Sequence, residues 1–284
     1  MFKTLSPGAI GIRANLTDGL ALARAHGFQG LEFSIVEATE WAERQGIDSL
    51  RRMFAEAGVR PMNFGLPLDI RKDEATWRAG LDMLPRWAKT AQALGTTRAN
   101  TWVVPFSDEM DFATNFRFHV NRLRPAAQIL ADHGLRLGLE FVGTASLRAG
   151  HRYGFLHTMD GVLALGAAIG TGNIGLLLDS YHWYTSKGNL DDLAKLSNAD
   201  VVVVHVNDAL AGVPVDQVPD TTRALPCETG VIDLAGFMQA LVKIGYDGPV
   251  IVEPFSQRLR EMPADGAARA AAESLRQLWA LRSS

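Results

Sequence analysis

The feature that most constrains the fold is an alternation between short apolar runs and segments with helical spacing. Parallel strands covered on both faces read as continuous apolar runs, whereas surface helices repeat apolar residues every three or four positions. Helical spacing is clear at residues 77–91, 113–130 and 234–244, with Asp233 as an N-cap for the last of these. The predicted strands are residues 8–14, 30–34, 61–66, 98–104, 136–141, 174–179, 201–206 and 249–253.

Eight predicted strands that alternate with helices, with no linker between two halves, predict an α/β fold, a single (β/α)₈ TIM barrel over residues 1–284. An open doubly wound sheet is the alternative. After the first predicted strand the chain reads Arg13-Ala-Asn-Leu-Thr-Asp. Dinucleotide-binding folds carry Gly-x-Gly-x-x-Gly at that place, so this segment disfavours the alternative.

Charge and composition exclude several classes of function. The net charge is −3 and there is no basic run, which argues against a nucleic-acid partner. No segment approaches the roughly 20 consecutive apolar residues that span a bilayer, and the first residues lack the apolar stretch of a secretory signal. We therefore expect a cytoplasmic protein without a membrane partner. The single cysteine excludes an internal disulfide and a cysteine-based zinc cluster.

Four consecutive predicted strands each end in a metal-binding side chain: Glu140, Asp179, His205 and Glu253. Active residues of a TIM barrel collect at the carboxyl ends of its strands, so these side chains should converge there. Taken singly, each is better explained by a structural ion pair, because Asp and Glu are common at strand ends. Three converging carboxylates would repel one another, and a divalent cation removes that conflict. The oxygen-rich set best suits Mn²⁺, with Co²⁺, Mg²⁺ or Zn²⁺ as alternatives.

The residues around these strand ends resemble the sugar phosphate isomerase/epimerase family. This group of xylose-isomerase-like TIM barrels includes ketose 3-epimerases, inosose isomerases and hydroxypyruvate isomerases. The resemblance covers essentially the whole chain. Its motifs are Gly138-Leu-Glu140, Leu178-Asp-Ser-Tyr-His182, Val204-His-Val-Asn-Asp208, Val252-Glu-Pro254, Ile244-Gly-Tyr-Asp-Gly-Pro249 and Leu225-Pro-Cys-Glu-Thr-Gly-Val-Ile-Asp-Leu234.

The resemblance implies that Glu140, Asp179, His205 and Glu253 hold one divalent metal. It also implies that Glu140 and Glu253 act as acid and base on opposite faces of the substrate. Epimerisation removes a proton beside a carbonyl and returns one on the other face, while the metal stabilises the enediolate. The expected function is isomerisation or epimerisation of a small, sugar-like molecule. Barrels of this group are often homodimers or homotetramers, and a different partner subunit stays open.

Six further residues are predicted to bind substrate, five of them near strand ends. The resembling family uses the histidine three residues after the metal-binding aspartate on substrate oxygens, which implies this role for His182; helix capping is the alternative. Asn63 and Trp102 lie at strand ends and should face the pocket. His151 lies in the loop after the fifth strand, where a plain surface position explains it equally well. Asn207 shares the side of the strand that carries His205, and would orient that ligand or meet substrate.

The sixth predicted substrate-binding residue, Arg223, lies in the long segment 209–230 after the seventh strand. Family members often carry an arginine about six residues after the strand-seven histidine, where this chain has Ala211. Arg223 offers a substitute for that arginine. The alternative is an ion pair between Arg223 and Asp208.

Three other functions stay open beside isomerisation. The same metal and bases could serve a lyase or dehydratase that acts on a keto-cyclitol or keto-glycoside. A DNA-repair endonuclease of the abasic-site type shares the fold but uses more histidines than the one found here inside a predicted strand. A metal-binding protein without catalysis is the third. After the last strand the chain reads Pro254-Phe-Ser-Gln-Arg258, without the glycines of a phosphate loop, so an unphosphorylated substrate is expected.

Overall fold

In the described part of the chain, eight strands pair in parallel around a closed ring. A computed structural model describes residues 1–283. The ring order is β1-β10-β9-β8-β6-β4-β3-β2, so each barrel strand pairs with its neighbours along the chain and the first pairs with the last. The barrel strands are β1 (Phe2–Leu5), β2 (Gly30–Glu32), β3 (Arg60–Gly65), β4 (Arg98–Trp102), β6 (Arg136–Glu140), β8 (Ile174–Asp179), β9 (Val201–Val206) and β10 (Pro249–Val252). The predicted TIM barrel is confirmed.

Helices connect successive strands and cover the outside of the barrel. They are α1 (Leu16–Ala25), α2 (Ile35–Gln45), α3 (Ile47–Ala57), α4 (Glu74–Leu94), α5 (Phe112–Asp132), α6 (Ala145–Arg148), α7 (Met159–Ile169), α8 (Ser180–Thr185), α9 (Leu190–Ala194), α10 (Leu234–Lys243), α11 (Gln257–Arg260) and α12 (Ala264–Ala280). Two short strands, β5 (Phe106–Ser107) and β7 (Tyr153–Gly154), form an antiparallel pair outside the ring. Within residues 1–283, no helix is long and apolar enough to cross a membrane.

The prediction of a first strand at residues 8–14 is wrong. The first strand is β1, and Gly8–Ile10 forms a 3₁₀ helix that ends at Gly11 with φ 81°. β1 reads Phe-Lys-Thr-Leu, and its two central polar residues hide it from a search for continuous apolar runs. A left-handed glycine inside the apolar segment that follows breaks any extended strand there.

The apolar core has two parts that the strands separate. Gly138 lies on the inner side of β6, because an added Cβ would stand 3.2 Å from Val202 Cβ. Leu177, Val202, Val203 and Ile251 form a small buried cluster, and Ala9 packs against it. Leu137 and Leu139 alternate with Gly138 and belong to the main core. The small cluster is therefore the floor on which residues at the strand ends stand.

We predict that Leu139→Ala destabilises the protein by about 2–5 kcal/mol, because it removes a fully buried side chain from a densely packed core. Leu190→Ala is the matched control, since Leu190 is 40% exposed and its truncation should change the free energy of unfolding little. Urea unfolding followed by circular dichroism measures both. Equal losses would contradict this assignment of the core.

Candidate metal centre

The strand period places four potential ligands in one layer at the carboxyl end of the barrel. Side chains two residues apart on a strand point the same way. Each ligand stands two residues after an inner position: Glu140 after Gly138, Asp179 after Leu177, His205 after Val203, and Glu253 after Ile251. One ligand atom from each of the four lies within 4.8 Å of the others. The structure thus brings together the ligand set predicted from the strand ends.

The atoms of this cluster fit a cation. Within residues 1–283, Glu140 Oε1 and both ring nitrogens of His205 are buried without a hydrogen-bond partner. His205 Nδ1 lies 3.3 Å from Glu253 Oε2, 3.8 Å from Glu140 Oε1 and 4.0 Å from Asp179 Oδ2. Buried polar atoms left unpaired are costly, and a divalent cation would satisfy the carboxylates and the imidazole together. The residues present therefore fit the implied metal.

Without a metal, this cluster holds protons. Burial, followed by the nearby charge of Glu253, raises the pKa of Glu140 well above its usual value. Burial alone would lower the pKa of His205, but the surrounding carboxylates outweigh it and raise that pKa to about 10. A proton on His205 and a proton on Glu140 thus replace part of the charge that a cation would supply.

Asp179 is held in place from several sides. Asn207 Nδ2 donates to both carboxylate oxygens at 3.2 Å, and the backbone N–H of Tyr181 donates at 2.6 Å. Arg223 Nη1 donates to Oδ2 at 2.9 Å and also lies 3.2 Å from Glu253 Oε2. Burial would raise the pKa of Asp179, but Arg223 opposes it and holds the pKa below its usual value. Asn207 therefore orients Asp179, and not His205 as one prediction held.

Arg223 is buried against the metal ligands. Its side chain is 1% exposed, and its guanidinium lies over the rings of Tyr181 and Phe255 at 4.6 Å from each centroid. The alternative of an ion pair with Asp208 is wrong. Asp208 instead accepts hydrogen bonds from backbone amides, including those of Gly230 at 2.7 Å and Ile232 at 3.0 Å. These amides outcompete Arg223 because the chain folds back at residues 229–232.

His182 lies behind the ligands. Its Nε2 is 3.1 Å from Arg223 Nη2, and its Nδ1 is 3.3 Å from the Gly143 backbone nitrogen. Burial, reinforced by Arg223, lowers the pKa of His182 to about 4, so the ring is neutral near pH 7. A neutral ring has one acceptor nitrogen, so the tautomer decides whether it accepts from the Gly143 amide or from Arg223. The contacts of His182 thus support Arg223, and this side chain does not line the cavity.

A cavity of about 600 Å³ opens above the metal ligands, and Glu140, His205 and Glu253 line it. Trp102 forms part of the opposite wall; it is 42% exposed, and the Arg71 guanidinium lies 4.6 Å above its ring. The volume is within the range of ordinary small-molecule sites. The metal centre therefore faces a space in which a small polar molecule fits.

Besides His182, Asn207 and Arg223, which lie behind the ligands, two more predicted substrate-binding residues are absent from the lining of this cavity, so Trp102 is the one of the six that lines it. Asn63 is fully buried and donates to Asn100 Oδ1 at 3.0 Å, so it holds a residue that does line the wall. His151 Nδ1 lies 2.9 Å from Asp108 Oδ2, and its ring stacks on Phe106 with centroids 3.4 Å apart. His151 thus belongs to the outer sheet of β5 and β7.

Glu32 and Asn100 line the cavity, although the sequence did not single them out as site residues. Each lies at or near the carboxyl end of its strand, β2 or β4. Burial raises the pKa of the Glu32 carboxyl, against the lowering effect of His205. The signal that found the metal ligands, a polar residue at a strand end, also applies to these two.

A family model described as "Xylose isomerase-like TIM barrel" matches residues 20–278. The chain belongs to this family. Among the family's curated proteins, the inosose isomerase of Halalkalibacterium halodurans is 24% identical over 263 residues, which cover 92% of this chain and 90% of that protein. The 3-dehydroshikimate dehydratase of Pseudomonas putida is 26% identical over 279 residues, covering 96% of this chain and 41% of that protein.

Solved structures of xylose isomerase-like barrels superpose along the whole chain. A xylose isomerase domain protein from Alicyclobacillus acidocaldarius subsp. acidocaldarius is 32% identical with a TM-score of 0.85, covering 99% of both chains. The IOLI protein, solved with a zinc atom, is 20% identical with a TM-score of 0.80, covering 98% of both. At that lower identity the likeness of the second concerns the fold.

We predict that Asn207→Ala weakens metal binding by about 10–100-fold, because Asp179 loses the amide that fixes both of its oxygens. Isothermal titration with Mn²⁺ measures the affinity. Asn121→Ala, at an exposed position on α5, is the matched control and should bind as the unaltered protein does. Unchanged affinity in Asn207→Ala would remove this orienting role.

We also predict that metal affinity rises between about pH 6 and about pH 8. His205 and Glu140 have raised pKa values without metal, so binding must displace protons from them. Lower pH favours those protons and weakens binding, by about tenfold per pH unit for each proton displaced. Titration in buffers of different ionisation enthalpy counts the protons. An affinity independent of pH would mean that His205 is already neutral in the metal-free protein.

Proposed function

We propose that the chain is a divalent-metal-dependent isomerase or epimerase of a small, unphosphorylated sugar or keto-sugar. The observation that carries the proposal is that Glu140 and Glu253 both line one cavity and both belong to one cation site. Two carboxylates on different strands can reach one substrate carbon from different sides. The family membership and the inosose isomerase relative support the same reaction class.

Glu140, Asp179, His205 and Glu253 would hold the metal. When bound, a divalent cation supplies Lewis acidity that stabilises negative charge developing on the substrate's carbonyl and hydroxyl oxygens. Mn²⁺ suits the oxygen-rich set best, and Co²⁺, Mg²⁺ or Zn²⁺ are alternatives. The IOLI protein, which has the same fold and was solved with a zinc atom, supports a divalent ion in this chain.

The protein's own residues would move the proton. One glutamate takes the proton from the carbon next to the carbonyl, and the other returns a proton to the opposite face in an epimerisation. In an isomerisation the proton goes to the neighbouring carbon. Asn207 and Arg223 hold Asp179 fixed during this exchange, and Arg223 Nη1 also lies beside Glu253.

The charges around the cavity support an unphosphorylated substrate. Arg71 at the wall is bound to Asp69 through two contacts, at 2.8 and 2.9 Å. Arg223 is occupied by Asp179 and Glu253. Glu32, Glu140 and Glu253 place three carboxyl groups at the wall. A phosphate would therefore meet carboxylates before it met a guanidinium with free donors.

A lyase or dehydratase is the second candidate. The dehydratase relative from Pseudomonas putida is similar over nearly this whole chain. The first step, removal of a proton beside a carbonyl, is common to both reactions. The outcome then depends on whether the substrate carries a leaving group beta to the carbonyl.

One experiment separates these reactions. Metal-free protein is loaded separately with Mn²⁺, Co²⁺, Mg²⁺ or Zn²⁺ and incubated in D₂O with free ketoses, inososes and 3-keto-glycosides, and proton NMR follows the products. Deuterium beside a carbonyl together with a rearranged sugar supports the proposal. Exchange with loss of water or of an aglycone moves the function to a lyase. Absence of exchange with every compound would overturn the proposed substrate class.

We predict that Glu140→Gln and Glu253→Gln each lower the exchange rate by about 10²–10⁴-fold, because an amide cannot take up the proton. Metal content is measured beside the rate, since both residues are also predicted ligands. Glu56→Gln, exposed on α3, is the matched control and should leave the rate unchanged. Full exchange by a metal-loaded Glu140→Gln or Glu253→Gln protein would rule out the two-base mechanism.

A further inference from the structure

A second chamber of about 320 Å³ adjoins the cavity above the metal ligands. Both spaces are lined by Ser6, Gly8 and Glu32, so they meet at these residues. The second chamber lies between the segment that joins β1 to α1 and the segment that joins β2 to α2. These segments follow the carboxyl ends of their strands, which places the chamber on the same face of the barrel as the metal centre.

The two chambers differ in what they can do chemically. The potential ligands Glu140, His205 and Glu253 line the first chamber and are absent from the lining found for the second. A reacting carbonyl must therefore lie in the first. At Gly8, which lines both chambers, no side chain fills the space, and a Cβ added there would meet no atom within 4 Å. A substituent on the reacting ring can pass into the second chamber beside Glu32.

The wall of the second chamber offers an apolar surface for the face of a sugar ring and hydrogen-bond donors for its hydroxyl groups. Phe33 and Leu31 supply an apolar surface. Arg13 is exposed, and in residues 1–283 its guanidinium has no ion pair or hydrogen bond. A guanidinium presents five N–H donors, which suit hydroxyl oxygens. Two acceptors of this wall are already occupied: Glu37 Oε1 accepts the Leu16 backbone amide at 2.9 Å, and Asn15 Oδ1 accepts that of Asp18 at 2.9 Å.

Glu32 stands where the chambers join. It ends β2, is partly buried, and lines both spaces. It lies outside the four-residue ligand cluster, and the side chains of Asn63 and Ser6 are within hydrogen-bonding reach of its carboxyl. A group at this position meets the atoms that connect a reacting ring to its substituent.

We propose that the second chamber is a subsite for a second sugar ring, and that the preferred substrate is a keto-sugar linked through a glycosidic bond. The reacting ring lies over the metal centre, Glu32 contacts the linkage, and Arg13 contacts hydroxyls of the second ring. This inference rests on the proposed function, because it assumes that the first chamber holds a ketone-bearing ring.

The test compares two ligands that share one reacting ring. Methyl 3-keto-α-D-glucopyranoside has one ring, and 3-keto-trehalose has two. Isothermal titration with the Mn²⁺-loaded protein should show 3-keto-trehalose binding at least about tenfold more tightly. Equal affinities, or no binding of either ligand, would overturn the subsite.

Affinities of variants for the two ligands test whether the second ring binds in the second chamber. Ala14 lines only the second chamber, so Ala14→Trp should remove the preference for 3-keto-trehalose and leave the one-ring affinity unchanged. Ala264→Trp, at an exposed position outside both linings, is the matched control and should keep the preference. Arg13→Ala adds no bulk to the fold and should weaken only the two-ring ligand, by severalfold. Equal losses for both ligands in Ala14→Trp and in Arg13→Ala would overturn the proposal.

The subsite and the proposed function can fail independently, and one further measurement distinguishes the two failures. Hydrogen exchange in D₂O is followed on the same two ligands. Exchange on both with equal affinities leaves the isomerase or epimerase standing and removes the subsite. A two-ring preference that Ala14→Trp abolishes, without any exchange, supports the subsite and removes the proposed reaction.

Discussion

The structure depends on three carboxylates that meet at the carboxyl end of the barrel. Glu140, Asp179 and Glu253 are brought together because each stands one step above the apolar floor of the barrel. Their mutual repulsion must be offset within a buried space. Arg223 and a protonated His205 offset part of it in the metal-free protein, and a divalent cation would offset more. Local structure follows from the same charges, since Asp179 also caps the first turn of α8 through the amides of Tyr181 and His182.

Arg223 ties the long segment after β9 to this centre. Its guanidinium contacts Asp179 and Glu253 while it stacks on Tyr181, whose hydroxyl donates to the Pro219 carbonyl. Farther along, Asp208 accepts the amides of residues 229, 230 and 232. The segment is thus anchored at two places by groups next to the ligands. Removal of the Arg223 charge would leave Asp179 and Glu253 facing each other without a fixed cation, so ligand geometry and segment position change together.

The sequence predicts features that depend on the two-residue period of a strand, such as which side chains converge. It does not predict features that depend on contacts between segments far apart in the chain. The four ligands follow from one rule, a polar residue at the end of an apolar strand, and the family motifs point to the same residues. The search for apolar runs did not identify β1, because this short strand carries Lys3 and Thr4 at its centre. His182, Asn207 and Arg223 were correctly placed near the centre, but their depth behind the ligands depends on how the segment after β9 folds back. Asp208 could not be assigned from the sequence for the same reason, because three of the amides that its carboxylate accepts, those of residues 229, 230 and 232, lie more than 20 residues away.

The proposed chemistry and the proposed substrate recognition fall on different halves of the barrel. The potential metal ligands come from β6, β8, β9 and the residue after β10. The opposite wall comes from the first half, where Glu32, Asn100 and Trp102 end or nearly end their strands and Arg71 covers Trp102. The second chamber is built wholly from residues 6–37. Proton transfer needs a fixed set of ligands, whereas substrate choice needs a wall that can vary. Relatives that act on different keto compounds can therefore share the second half of the barrel, and the segments after β1, β2 and β3 are where their differences in substrate should lie.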